Sequence, residues 1–197
     1  KTPSLLCVGL DPDFAKLPPE FQNLEFPQFE FAKSIIDATQ AYASVFKLNL
    51  AFFEARGDRG VKETKMAMDY LREKFPDVCT ICDAKRGDIG STNQQYASAI
   101  FDWFGFDAVT LHPYLGREAL EPFLERKEKG CIILCRTSNP GAGEFQDLEI
   151  QGKPLWQVVA QKVRDDWNTN GNCMLFIGAT WPQELEEARK MMGDMTF

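Results

Sequence analysis

At 197 residues the chain is long enough to bury a substantial core, and its hydrophobic and charged fractions, 44% and 26%, are those of an ordinary globular protein. A formal charge of −7 and the lack of any basic run exclude a nucleic-acid-binding face, although a few lysines in a cleft can still favour an anionic small substrate. No apolar run approaches the roughly 18 residues of a membrane span. Lys1-Thr2-Pro3 is unlike a signal peptide, so a cytoplasmic protein is expected, with residues preceding Lys1 because no Met opens the chain.

Six strand-like runs follow in order: Leu5–Asp11, Val45–Leu50, Val78–Asp83, Ala108–His112, Cys131–Arg136 and Cys173–Ala179. Helical spacing of apolar residues fills the intervals. Phe29, Ala32, Ile36 and Ala43 mark the first helix, and Met66, Tyr70 and Leu71 the second. Ala97, Ile100, Phe101 and Phe104 mark a third, closed by Gly105. Ala119 to Leu124, strained by Pro122, gives a fourth, and Leu155 to Trp167 a fifth. The sixth opens at Thr180-Trp181-Pro182-Gln183, which has capping-box spacing and Pro in the first turn. Such alternation predicts parallel strands joined by right-handed crossovers. With no linker or low-complexity tract, residues 1–197 read as a single domain.

Two α/β architectures fit, an open doubly wound sheet and a (β/α)₈ TIM barrel. The first strand ends in Gly9-Leu10-Asp11-Pro12-Asp13, with no glycine-rich dinucleotide turn, and Asp13 reads as a turn residue. Polar residues instead collect at the carboxyl ends of several strands: Asp11, Lys47 and Asn49, Asp83 and Lys85, His112, then Thr137-Ser138-Asn139. That is where a barrel keeps its active site. The barrel is the better account, with about six of its eight βα units in this chain. The remaining C-terminal strands are expected beyond Phe197, because an unclosed barrel leaves bare edges.

The six cysteines read as small hydrophobes within apolar runs. Cys79 and Cys82 form a C-x-x-C, but within a strand residues three apart face opposite sides, whereas a redox pair sits at a helix N-terminus. With His112 as the lone histidine, a metal site is poorly supplied, and none is expected.

The densest chemistry lies in Asp83-Ala84-Lys85-Arg86-Gly87-Asp88-Ile89-Gly90-Ser91-Thr92. Residues two apart on a strand share a face, so Asp83 and Lys85 project together, with Asp88 on the following turn. Ser91 and Gln94 have capping-box spacing. Taken alone, Asp-x-Lys at a strand end reads as a surface ion pair of little worth. Its company at the other strand ends changes that reading.

The ordered set Cys7-Val8-Gly9-Leu10-Asp11-Pro12-Asp13, Phe46-Lys47-Leu48-Asn49, Asp83-Ala84-Lys85-x-x-Asp88-Ile89, Thr110-Leu111-His112-Pro113 and Thr137-Ser138-Asn139-Pro140-Gly141-Ala142 closely resembles the orotidine 5'-phosphate decarboxylase family. Asn49-Leu50-Ala51-Phe52-Phe53-Glu54 resembles its longer-chain, type 2-like branch. The resemblance implies a cofactor-free homodimeric barrel converting orotidine 5'-phosphate to uridine 5'-phosphate and carbon dioxide. It makes Lys47, Asp83, Lys85 and the partner subunit's Asp88 an alternating charge array. Lys85 is then the proton donor, and Asp83 lies against the departing carboxylate. Asp11 and Lys47 resemble ribose ligands supported by Asn49. Thr92 resembles a residue reaching the ribose across the interface, and Ser138 the ligand of the pyrimidine amide edge. The chemistry agrees: losing carbon dioxide leaves charge on the ring, which a fixed cation stabilises, and flanking carboxylates keep a lysine as ammonium.

The family's phosphate ligands follow its seventh and eighth strands, outside this chain, so weak substrate binding by this length of chain is expected. His112 reads as a hydrogen-bonded residue of the barrel mouth, Phe52 and Phe53 as core or interface, and Arg86 and Arg136 as solvated loop positions in preference to phosphate ligands. The enzymatic rival is a magnesium-dependent sugar-phosphate decarboxylase or aldolase-like synthase sharing Asp-x-Lys-x-x-Asp, against which Lys47 counts. A non-catalytic nucleotide-binding or dimerisation barrel is the rival of another class.

Overall fold

The computed structural model describes residues 4–196. The reading of Lys1-Thr2-Pro3, and that of Phe197 as the approach to a further strand, lie outside them. The chain divides into two compact units, one holding the residues up to Ala84 with Ala99–Asp107, the other Lys85–Ser98 and the residues from Ala108 onward.

In the first unit the elements run β1 (Cys7–Leu10), α1 (Pro19–Gln22), α2 (Pro27–Thr39), β2 (Val45–Asn49), α3 (Leu50–Glu54), α4 (Gly57–Lys74) and the start of β3 (Cys79–Arg86). Strand β2 pairs in parallel with β1 on one side and β3 on the other, setting Lys47 opposite Gly9 and Ile81. Period-two alternation decides which face is covered. Phe46 and Leu48 are fully buried in a core shared with Ile36, Met68 and Leu71, while Val45, Lys47 and Asn49 between them stay half-exposed. Each of the large apolar side chains contributes about 2 kcal/mol by leaving water. Strand β1 stops at Leu10, leaving Asp11 in the loop, whereas β3 runs past its expected end at Asp83 to Arg86 and takes in Lys85.

A buried polar knot ties the loops of this unit to α2. Gln28 Nε2 donates to the carbonyls of Pro12 and Phe52, both at 2.8 Å. Glu63 accepts from the Phe29 amide at 2.8 Å and pairs with Arg56 Nη1 at 2.5 Å. Both Gln28 and Glu63 are fully buried, which is tolerable because their polar atoms find partners.

The second unit contains α5 (Gly90–Ala97), β4 (Ala108–Leu111), α6 (Gly116–Leu124), β5 (Gly130–Arg136), α7 (Gly143–Gln146), β6 (Glu149–Ile150), β7 (Lys153–Pro154), α8 (Leu155–Lys162), β8 (Cys173–Ile177) and α9 (Pro182–Met192), while the π-helical stretch Ser98–Phe104 that follows α5 belongs to the first unit from Ala99 on. Strand β5 lies between β4 and β8, parallel to both. Leu111, Leu120, Phe123, Ile133 and Ala160 are among its fully buried side chains.

Three local expectations are corrected. Helix α5 begins at Gly90 with Ile89 at its N-cap and no side-chain cap, so Ser91 lies inside the first turn and forms no capping box with Gln94. Helix α9 has Trp181 at its N-cap and Pro182 at N1, again without a side-chain cap, so Thr180 and Gln183 form no box. Strict alternation also breaks: β6 and β7 form an antiparallel hairpin between β5 and α8. Its two turn residues, Gln151 and Gly152, have φ of 53° and 77°, the left-handed pair that a tight hairpin requires.

All six cysteines are free thiols. Cys79 is exposed and Cys82 buried, the opposite-face placement expected of a C-x-x-C on a strand. Cys131, Cys135 and Cys173 are also buried, but Cys7 and Cys79 are exposed, so the small-hydrophobe reading holds for only part of the set. No described helix is long and apolar enough to cross a membrane.

Candidate active site

The first unit gathers charge at the carboxyl ends of its strands. Lys47, near the end of β2, places its ammonium 3.1 Å from Asp83 Oδ2 on β3 and 3.9 Å from Asp11 Oδ1 just after β1. Parallel pairing brings these together, since the register that sets Asn49 against Asp83 carries Lys47 and Asp83 to adjoining positions. Asp83 is only 6% exposed and Lys47 a quarter exposed, so the pair is partly withdrawn from water and more strongly coupled than a surface bridge. Asn49 has a structural task as well: its side chain caps α3 by accepting from the Ala51 amide at 3.3 Å.

The second unit presents Lys85, Asp88, Thr92 and Ser138. Lys85 is exposed and has φ of 47°, a left-handed conformation that a long side chain rarely adopts. Its amide donates to Thr110 Oγ1 at 3.0 Å, so the strained residue is anchored to β4. The loop carrying Asp88 is built around Asn93, which is fully buried on α5. Asn93 Oδ1 accepts from the Asp88 amide at 3.0 Å, while its Nδ2 donates to the carbonyls of Asp88 and Ala119, both at 2.6 Å. Thr92, one residue earlier on α5, is half-buried. Gly87 lets the loop pass against His112, whose ring would stand 2.5 Å from any Cβ at that position. The His112 amide donates to the Arg86 carbonyl at 2.9 Å.

Ser138 is exposed just beyond β5. The residue before it is held from several sides. Gln146 Oε1 accepts from the Thr137 amide at 2.9 Å, Gln146 Nε2 donates to Thr137 Oγ1 at 2.8 Å, and Trp181 Nε1 donates to the Thr137 carbonyl at 2.9 Å. Arg136 is not the solvated loop residue expected. It is 3% exposed, with its guanidinium 4.1 Å from the Trp181 ring centre and ion pairs to Asp147 at 2.7 Å and Glu184 at 3.5 Å. Two carboxylates and an aromatic face make that burial affordable. Arg86 is half-buried, lying 4.8 Å over the ring of Tyr96.

Sequence reasoning missed Asn93, Gln28, Gln146 and Trp181. For Asn93 a signal existed: an amide inside a helix is unfavourable unless its side chain has bonds to make elsewhere. The partners of the others lie nine to 44 residues away along the chain and leave no local mark.

Parallel strand–helix units whose ionisable residues meet at strand carboxyl ends define a βα-barrel enzyme. A family profile described as "Orotidine 5'-phosphate decarboxylase / HUMPS family" matches residues 4–197. A protein of Janthinobacterium sp. (strain Marseille) named orotidine 5'-phosphate decarboxylase is 48% identical over 190 residues, covering 96% of this chain and 69% of the relative. One of the same name from Cellvibrio japonicus is 46% identical over 196 residues, covering 98% of this chain and 71% of the relative. The solved structure of Leishmania donovani OMP decarboxylase superposes with a TM-score of 0.87 at 34% identity, covering 98% of this chain and 72% of that one. The chain belongs to the orotidine 5'-phosphate decarboxylase / HUMPS family, and its six parallel βα strands are those of a TIM barrel.

Proposed function

We infer that this chain decarboxylates orotidine 5'-phosphate to uridine 5'-phosphate, a carboxy-lyase step of pyrimidine biosynthesis. The observation that carries the reading is the Lys47 ammonium standing between the Asp83 and Asp11 carboxylates at 3.1 and 3.9 Å. In this reading Asp83 faces the carboxylate that departs, and Lys85, two residues further along β3, stabilises the charge left on the ring and then protonates it. Fixed charges aimed at the reacting atom lower the barrier because no solvent has to reorganise as charge develops. Lys47 also reaches the ribose with Asp11, supported by Asn49, and Ser138 bonds the pyrimidine amide edge.

The assembly in this proposal is a homodimer of cytoplasmic single-domain barrels. Asp88 of the partner subunit completes the charge array, and the partner subunit's Thr92 reaches the ribose. The exposed Ile89 beside Asp88 suits such a contact.

The magnesium-dependent alternative finds little support, since the Lys47 ammonium sets a fixed positive charge beside the Asp11 and Asp83 carboxylates, which would have to be free to hold a divalent ion. The test is a decarboxylation assay that follows the loss of orotate-type absorbance with and without a chelator. Turnover that survives chelation and disappears in Lys85→Ala supports the reading. Turnover abolished by chelator favours the metal-dependent class.

A further inference from the structure

The end of β5 is gripped far more tightly than an exposed loop needs. The backbone of Thr137 has both polar groups committed to side chains, its amide to Gln146 and its carbonyl to Trp181. Its hydroxyl accepts from Gln146 and donates to Asn139 Oδ1 at 2.6 Å. Gln146 thus binds one residue twice, which fixes a direction as well as a distance. Trp181 is itself fixed, because Arg136 covers its ring and is tied to Asp147, the neighbour of Gln146, and to Glu184 in the first turn of α9.

On one side Ser138 lies close against Gly178. A Cβ added at Gly178 would lie 3.0 Å from Ser138 Cβ and 3.1 Å from its amide nitrogen. The Gly178 amide donates to the Arg136 carbonyl at 2.8 Å, which pins the two segments at that separation. Backbone hydrogen bonding in a loop is ordinarily left to water. Here two side chains, Gln146 and Trp181, take up both backbone polar groups of the residue next to Ser138.

We propose that Gln146 and Trp181 are positioning residues for Ser138, acting through Thr137, and that Gly178 leaves the space in which Ser138 is held. The proposal rests on the reading of Ser138 as the pyrimidine ligand. A displacement of about 1 Å at such a contact weakens both recognition and reaction.

The experiment is steady-state decarboxylation by Gln146→Met, Gln146→Glu, Gly178→Ala and Ser138→Ala, each of the first three also combined with Ser138→Ala. Thermal unfolding identifies variants that no longer fold. Gln146→Met keeps the packing but loses both bonds, and kcat/KM should fall about tenfold. Gln146→Glu still accepts from the Thr137 amide and should fall less. Gly178→Ala should lower kcat/KM by pushing on Ser138 while the clamp stays whole, so it remains informative if Gln146→Met fails to fold. In the Ser138→Ala background each of these losses should shrink to near unity, since the hydroxyl they position is gone. Losses of undiminished size in that background, or none in the wild-type background, overturn the positioning role while leaving Ser138 as a ligand. Wild-type kcat/KM in Ser138→Ala instead refutes the ligand reading and the positioning role with it.

Discussion

Lys47 and Asp83 form an ion pair at 3.1 Å between adjacent parallel strands, with the carboxylate buried and the ammonium a quarter exposed. Removing the cation by Lys47→Ala withdraws a charge-assisted hydrogen bond from a desolvated acid, at a cost of about 2 kcal/mol. Asp83→Asn should cost less and still slow turnover at least about 100-fold, because the fixed charge is lost. Urea unfolding of both single variants and the double variant checks the coupling. Strictly additive losses would mean the pair is not a unit.

Lys85 occupies left-handed backbone, with φ of 47°. Lys85→Ala keeps that strain and loses the ammonium, whereas Lys85→Gly loses both. Both variants should be inactive, yet the glycine variant should be more stable than the alanine variant by about 1 kcal/mol. Chemical denaturation decides it. Equal stabilities would mean that the backbone stores no strain at Lys85.

Asn93 holds the Asp88 loop through three hydrogen bonds from a fully buried position. Asn93→Ala leaves the Asp88 and Ala119 carbonyls without this donor and should cost about 2–3 kcal/mol. Amide exchange at Asp88 should quicken more than at β5. Unchanged protection there would assign the loop's order to something other than Asn93.

The shared-site reading predicts complementation between subunits. If Asp88 of the partner subunit completes each site, Lys85→Ala and Asp88→Ala are each inactive alone. A random mixture then forms heterodimers with one intact site, and activity should recover to about a quarter of wild type. Mixing followed by assay checks this. No recovery, with exchange of subunits verified by mass, places Asp88 in its own subunit's site.

Burial pushes the Cys135 thiol up from its ordinary 9.0 to about 12. The folded state therefore holds this proton more tightly than the unfolded chain. The associated stability is complete below pH 9 and is lost as the pH rises from there towards 12. Cys135→Ala should lose stability less steeply over that window than the wild type, as read by urea midpoints. Parallel pH profiles would show that the thiol is not what resists ionisation.

Much of this was legible in the sequence because it follows from period. Lys47 between Phe46 and Leu48, and the alternation that separates Cys79 from Cys82, announce faces that a strand must present. The charged strand ends were likewise visible, since a lysine or aspartate inside an apolar run has few places to go. What stayed hidden depends on contacts between distant residues or on backbone angles. Nothing local marks Gln146 as the clamp on Thr137 or Arg136 as buried against Trp181. The left-handed turn at Lys85 is invisible because lysine is a poor choice for it. The hairpin at Glu149–Pro154 escaped because two-residue strands are too short to display a period.

The buried Gln28 amide holds two carbonyls, one in the loop beside Asp11 and the other in the helix that follows Asn49. Those two strand ends therefore move in step with α2. Drift in the outward residues of that helix leaves these strand ends untouched, whereas a change at this one position is felt in two places at once. Engineering that lengthens the loop beside Asp11 or recasts the helix after Asn49 must carry the glutamine's geometry along with it, or surrender the alignment of two strand ends whose polar side chains it never touches.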